Sequence, residues 1–233
     1  MKKRLSMKIA IHQPNFLPYA GFFNKLIDVE KLVLLDDVQY QFDHTNRNKI
    51  ITKDGNWIRI SIPTKKNHKF FSINKVEINN NLPWKEENWE RIFNSYNNSP
   101  FFHTYQKYFE NLFSKNWELL FDINFDTLKQ TLDWLNLKID LILSSNLQVS
   151  GEGTKRLINI CKILDADEYV SGMGGKNYLD ENLFLSNKIK LSYQEYHSIP
   201  YSQHNSKQFI PNLSIIDLLM NKGSKSLEVI KNS

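Results

Sequence analysis

Apolar residues follow two rhythms along this chain. Ile9-Ala10-Ile11, residues 31–35 (KLVLL), 139–143 (IDLIL) and 168–170 (EYV) are short continuous runs, which predict strands buried on both faces. Between them apolar positions recur at helical spacing. Phe22, Phe23, Leu26 and Ile27 predict one buried face for a helix over 19–29, and Leu157, Ile160, Cys161 and Leu164 do the same over 153–166, with Thr154 as the expected cap. Residues 188–196 alternate through Ile189, Leu191 and Tyr193 and read as the last strand. Residues 213–219 and 227–230 read as closing helices separated by Gly223, with Asn212 or Ser214 capping the first.

The middle of the chain breaks this alternation. Residues 57–63 (WIRISIP) set Ile58, Ile60 and Ile62 against Arg59 and Ser61, the pattern of a half-buried strand. Residues 71–78 alternate through Ile73, Val76 and Ile78 with one irregularity, the pattern of a bulged strand. The two are expected to pair through the loop KKNHKF as a hairpin flap over the site. Pro83 then opens a helix with Trp84, Trp89, Ile92, Phe93 and Tyr96 on one side, ended at Ser99-Pro100. A second helix is expected over 101–113 and a third over 126–135, while Leu119 to Phe121 remain unassigned. The expectation is one α/β domain over 1–233: a three-layer, Rossmann-like, mostly parallel sheet with a hairpin flap and a helical insertion over about 83–137.

Composition narrows the class. Apolar residues make up 41% and aromatic residues 13%, which fits a folded globule, and 233 residues suffice for one sizeable core. The net charge of +5 permits an anionic ligand, but the lysines are scattered and accompany no nucleic-acid motif. Cys161 is the single cysteine, so no internal disulfide or cysteine-based zinc site is available, and its helical setting marks it as a small apolar residue. The N-terminal MKKRLSM is basic but is followed by too short an apolar stretch for a signal peptide, and no run approaches the roughly 18 apolar residues of a membrane span. A cytoplasmic protein is expected.

In a parallel sheet, ligands bind outside the carboxyl ends of the strands, so polar residues there are the candidates. His12 and Gln13 end the first strand, suited to proton transfer or phosphate binding, with Tyr19 and Gly21 at the following helix start, the glycine leaving room for close approach. Asp36 and Asp37 end the second strand, where either can cap a turn, act as a general base or bind a divalent cation. Gln39, Asn46, Arg47 and Asn48 follow. Arg47 can grip a phosphate or carboxylate bidentately, or the triple can brace a loop. Ser171, Gly172 and Gly174 lie in a glycine-rich turn whose N–H groups, with Lys176, can cradle an anion or simply turn the chain. That turn fits neither a P-loop nor a dinucleotide fingerprint, and the chain has no GxSxG elbow or HExxH helix. Asp217, within IIDLL on an apolar helix, is expected to make a structural hydrogen bond or ion pair.

The blocks HQPNFLPYAGFF, LDDVQY, NRN, SGMGGKNYLD and FIPNLSIIDLLMNKG resemble the signature blocks of the WbqC-like family and extend from Ile9 to Gly223. That family is associated with gene clusters for O-antigen and other bacterial surface polysaccharides. The resemblance therefore implies a role in lipopolysaccharide biosynthesis, as a transferase that passes an acyl or aminoacyl group to a nucleotide-linked amino sugar. The first strand-helix-strand unit is also similar to that of the HIGH-motif nucleotidyltransferases and pantothenate synthetases. This local likeness implies ATP with Mg²⁺ as cofactor, although Ala20-Gly21-Phe22 lacks their second histidine. Under these likenesses His12 and the helix start meet phosphate, Asp36 or Asp37 takes the amine proton, and Arg47 and Lys176 balance charge. The alternatives are a non-catalytic nucleotide-sugar-binding subunit of a glycosyltransferase or acyltransferase, and a nucleotidyltransferase. A homo-oligomer or another enzyme of the pathway is the expected protein partner.

Overall fold

The structure, a computed structural model, describes residues 6–41, 43–66 and 68–233. Most of the basic MKKRLSM segment, and Asn67 of KKNHKF, lie outside the described residues. In chain order the described elements are β1 (Lys8–His12), α1 (Ala20–Asn24), β2 (Lys31–Leu34), β3 (Arg47–Ile51), β4 (Trp57–Ser61), α2 (Trp84–Tyr96), α3 (Phe102–Ser114), α4 (Leu120–Trp134), β5 (Asp140–Leu143), α5 (Ser144–Leu147), α6 (Gly153–Ile163), β6 (Glu168–Ser171), α7 (Glu181–Ser186), β7 (Lys190–Tyr193), α8 (Ile215–Lys222) and α9 (Ser226–Lys231).

Five of these strands form one sheet in the order β5-β2-β1-β6-β7, and all its pairs are parallel. Alternate residues divide its two faces. Ile9, Ile11 and Val33 pack with Leu157, Ile160, Cys161 and Phe184 of α6 and α7, while Ala10, Leu32 and Leu34 pack on the other side with Phe22, Phe23 and Leu26. This is the Rossmann-like three-layer arrangement. The second apolar layer is continuous through Tyr96, Phe102, Phe109, Ile123 and Leu128 of α2 to α4 and Ile215 to Met220 of α8. The chain winds outward from β1 through β2 to β5, then crosses back to β6 and continues to β7. Winding direction therefore reverses between β1 and β6, and the loops leaving these two strands diverge to open a crevice.

The middle region departs from expectation. β4 pairs antiparallel with β3, upstream of it, in the register Lys49↔Arg59 and Ile50↔Ile58. The expected partner, 71–78, meets the chain just after that strand only at one antiparallel bridge, Thr64↔Ile78, and otherwise forms a short 3-10 turn at Ile73–Lys75, with Ile73, Val76 and Ile78 buried. The physical cause is the tight connection at Asp54-Gly55: Gly55 has φ +81, and the Thr52 amide bonds the Asn56 carbonyl at 2.8 Å, closing the hairpin locally. α1 is shorter than expected, and α4 starts at Leu120, resolving the unassigned segment as the helix start. Glu152, not Thr154, occupies the N-cap position of α6 and makes no side-chain cap bond there; the Thr154 hydroxyl accepts from the Asp180 amide at 3.1 Å. Ser214 caps α8 as expected. Asp217 is fully buried and accepts from Tyr96 Oη (3.1 Å), Tyr201 Oη (2.7 Å) and Gln203 Nε2 (2.9 Å), the expected structural network. Among the described residues no helix is long and apolar enough to cross a membrane.

Candidate functional site

A cleft of about 960 Å³ opens at the carboxyl ends of β1 and β6, where the winding direction reverses. Its floor carries Ile11 and His12 from β1 and Lys25 from just after α1. One wall is the β3–β4 hairpin, the other the glycine turn after β6, and Tyr19 and Tyr196 stand at the rim.

His12 is half-buried. Its Nδ1 lies 2.8 Å from the Gln13 carbonyl oxygen, and because a carbonyl only accepts, Nδ1 carries the proton and Nε2 keeps its lone pair. The ring packs edge-on to Phe22 at 5.0 Å. Burial first, then repulsion from Lys25 and His44, push the imidazole pKa down to about 3 against the opposing hydrogen bond to Gln13, so His12 is neutral near pH 7. The Lys25 ammonium lies 5.7 Å from the centre of that same Phe22 ring, and the residue is only 6% exposed. Burial lowers its pKa to about 7.

The hairpin supplies more positive charge. Strand alternation puts Arg47, Lys49, Trp57 and Arg59 on one face, and Lys49 and Arg59 are directly opposite each other across the ladder. Both cations sit over the Trp57 ring, at 4.6 and 5.1 Å from its centre. Like charges directly opposite on paired strands repel, and here they border the cleft. The lining cations are Lys25, Arg47, Lys49 and Arg59. Against them stands one carboxylate among the described lining residues, Asp43, which accepts from the amide and hydroxyl of Thr45 at 3.0 and 3.1 Å. Such a surface is suited to a multiply charged anion.

Gly172 and Gly174 line the opposite wall, and a Cβ at either would meet nothing within 4 Å, so both backbones open directly onto the cleft. Ser171 is buried beside them and donates to the Gly172 carbonyl at 3.1 Å. Asn48 lines the cleft while bracing it: its amide donates to the Leu17 carbonyl at 2.6 Å, and Ser214 Oγ donates to the same oxygen at 2.9 Å. These bonds hold buried Leu17 at φ 46, a conformation that a leucine adopts only when its surroundings impose it.

The structure thus brings His12, Tyr19, Arg47, Asn48, Ser171, Gly172 and Gly174 together, and the other candidates lie apart. Asp36 is 2% exposed and accepts from Asn74 Nδ2 (3.0 Å), Ser144 Oγ (3.3 Å) and the Ser145 amide (3.0 Å). Asp37 is gripped at both oxygens by Arg156 Nη2, at 2.7 and 2.6 Å, and accepts from Ser144 Oγ. Burial raises the Asp37 carboxyl, but the Ser144 and Arg156 hydrogen bonds outweigh it and hold the pKa below the ordinary carboxylate value. Neither acid lines the cleft. Gln13 contributes its carbonyl to His12, and Gln39 pairs by backbone with Ser72. Asn46 is buried with its amide on the Ile62 carbonyl at 2.9 Å. Lys176 is exposed over the Tyr193 ring.

Gly21 does not leave space for a ligand. A Cβ there would collide with the Tyr19 ring and Tyr196, so the glycine serves to seat that aromatic pair, and its carbonyl accepts from Gln194 Nε2 at 2.6 Å. The covered start of α1, a helix of five residues, does not fit the ATP-binding mode implied by the local likeness. Sequence reasoning passed over Lys25, Lys49, Arg59 and Tyr196. For Arg59 the signal was present, since the polar phase of the strand 57–63 is the face toward the cleft.

Comparison with known proteins agrees with the spread of these residues along the chain. The family model described as the WbqC-like protein family matches residues 13–229. A Mycobacterium tuberculosis (strain ATCC 25618 / H37Rv) protein described as uncharacterized protein Rv1507c is 26% identical over 227 residues, covering 96% of this chain and 97% of that one. No solved structure matches.

Proposed function

The chain belongs to the WbqC-like protein family, and on that premise we propose that its cleft binds a nucleotide-linked amino sugar and passes an acyl or aminoacyl group to the sugar amine, in bacterial surface-polysaccharide biosynthesis. One observation carries the reading: four basic residues, two of them directly opposed on one ladder, line a cleft at the sheet's reversal point with a single carboxylate among the described residues that line it. The nucleotide diphosphate lies against the hairpin face of Arg47, Lys49 and Arg59, where it relieves the Lys49–Arg59 repulsion. The glycine turn leaves backbone room for the sugar.

In the transfer step the neutral amine nitrogen attacks the acyl carbonyl, the bond from that carbon to the donor's leaving group breaks, and the nitrogen sheds a proton. His12 Nε2 accepts it. Burial in the empty cleft leaves His12 a weak base; a bound dianion favours the imidazolium and moves the imidazole pKa upward. A thermal-shift panel of UDP-sugars, dTDP-amino sugars, ATP, CTP and acyl-CoA, each with and without Mg²⁺, tests the ligand class. Ligand at 100-fold over its Kd stabilises by about 2.7 kcal/mol. Nucleotide-sugars are expected to stabilise, and His12→Ala to keep that response while losing transfer. Silence toward every nucleotide-sugar would overturn the reading.

A second reading is a nucleotide-sugar-binding subunit without turnover of its own. It draws on the engagement of Asp36 and Asp37 elsewhere, which leaves the cleft better equipped to bind than to move protons. Copurification with a transferase, together with binding but no turnover in isolation, favours it.

A further inference from the structure

Lys25 is an anomaly within the cleft. A lysine ordinarily carries its ammonium to water or onto a carboxylate, because an uncompensated buried charge is costly. This one is 6% exposed and has an aromatic ring, not an acid, as its neighbour. The titratable and charged groups that line the cleft with it are His12, His44 and His197, the phenols of Tyr19, Tyr169, Tyr178 and Tyr196, the cations Arg47, Lys49 and Arg59, and Asp43. The lining carboxylate, Asp43, accepts from the Thr45 amide and hydroxyl at Oδ1. His12 and Lys25 pack against the same Phe22 ring, so both line the same part of the cleft.

We propose that Lys25 receives an anionic oxygen of the ligand, from a phosphoryl or a carboxylate group, and takes up a proton as that oxygen arrives. The inference rests on the reading of the cleft as the ligand site and adds to it a floor contact coupled to protonation. With its pKa near 7, the amine of the empty cleft is largely neutral at about pH 8. An oxyanion beside it favours the ammonium, so binding draws one proton from solvent. The proton then lies in the same part of the cleft as His12, where it assists alignment of the reacting group. Above that pH range the empty site gains stability, since the unfolded lysine binds protons up to its ordinary pKa and the folded one does not.

Calorimetric titration of the intact protein with sodium sulfate, and separately with sodium acetate, at about pH 8 in HEPES and in Tris, reads proton uptake from the difference between the buffers. Sulfate represents a phosphoryl group and acetate a carboxylate, and neither titrates there. Wild type is expected to bind at least one of them with uptake approaching one proton. Lys25→Arg keeps the charge at every working pH, so it is expected to bind within about threefold of wild type with no uptake. Lys25→Met is expected to lose about tenfold or more in affinity while melting at or above the wild-type temperature, whereas a lysine with a merely structural role would lower the melting temperature. Binding without uptake in wild type, or equal affinity in Lys25→Met, overturns the role of Lys25 and leaves the cleft reading intact. No binding of either anion, with no response to nucleotide-sugars, overturns both.

Discussion

Two groups of polar residues lie at the carboxyl ends of this sheet, and they differ in how their charges are answered. Outside β2 and β5, Asp36 and Asp37 meet Ser144, Ser145, Asn74 and Arg156, so that the carboxylates find donors within the protein. Outside β1 and β6, Lys25, Arg47, Lys49 and Arg59 face a cleft that offers Asp43. Both groups occupy the position where α/β folds bind ligands. The first group ties β5 and its following helix to β2 and holds shape; at the second, basic side chains line a cleft with a single carboxylate among the described lining residues, which suits an anionic ligand. Fold position narrows the search, and internal compensation decides between the two ends.

The largest effect is expected at the satisfied end. Asp36→Ala leaves the Ser145 amide and the Asn74 side-chain amide without their shared acceptor, while the Ser144 hydroxyl keeps Asp37, and each orphaned donor costs roughly 1–3 kcal/mol. A loss of about 3 kcal/mol in urea unfolding is expected, with nucleotide-sugar affinity unchanged in the protein that remains folded. A folded variant that no longer responds to nucleotide-sugars would instead put Asp36 in the site and erase the distinction between the two ends.

At the open end the expected effect changes kind. Gly174→Val introduces a branched side chain where a Cβ meets nothing, so stability should stay within about 0.5 kcal/mol while the added methyls occupy space intended for the ligand. Nucleotide-sugar affinity should fall about tenfold by calorimetry. Unchanged affinity would move the ligand away from the glycine turn and toward the hairpin alone.

Legibility in the sequence divided along the same line. Apolar periodicity located β1, β2, β5 and β6 within a residue or two and β7 within three, because a buried parallel strand needs no distant information to be apolar. It also brought out His12 and the glycines, which mark strand ends. The hairpin was mispaired because alternation in 71–78 mimics a strand, while the Asp54-Gly55 turn that decides the pairing was passed over. Asp36 and Asp37 looked catalytic because their compensation is remote: Ser144 is 107 residues from Asp37, and Arg156 is 119. Lys25 was hidden for the opposite reason. A lysine on an apolar helix face is ordinarily read as reaching back to solvent, and only the packing around Phe22 shows that it does not.

The smallest effect belongs to the other lysine beside a candidate motif. Lys176 follows the glycines directly, and from sequence alone it is the better anion ligand of the two. Its ammonium instead lies 5.2 Å from the centre of the Tyr193 ring, exposed and outside the cleft. An exposed cation–π contact contributes about 0.5–1 kcal/mol at most, and solvent supplies much of the same stabilisation once it is lost. Lys176→Ala is therefore expected to change urea stability by no more than about 0.5 kcal/mol and nucleotide-sugar affinity by less than about twofold. The same calorimetric titration used for Gly174→Val checks it. A loss beyond about threefold would mean that the glycine turn folds over the loaded cleft and carries Lys176 onto the anion, which would extend the open end of the sheet to β7.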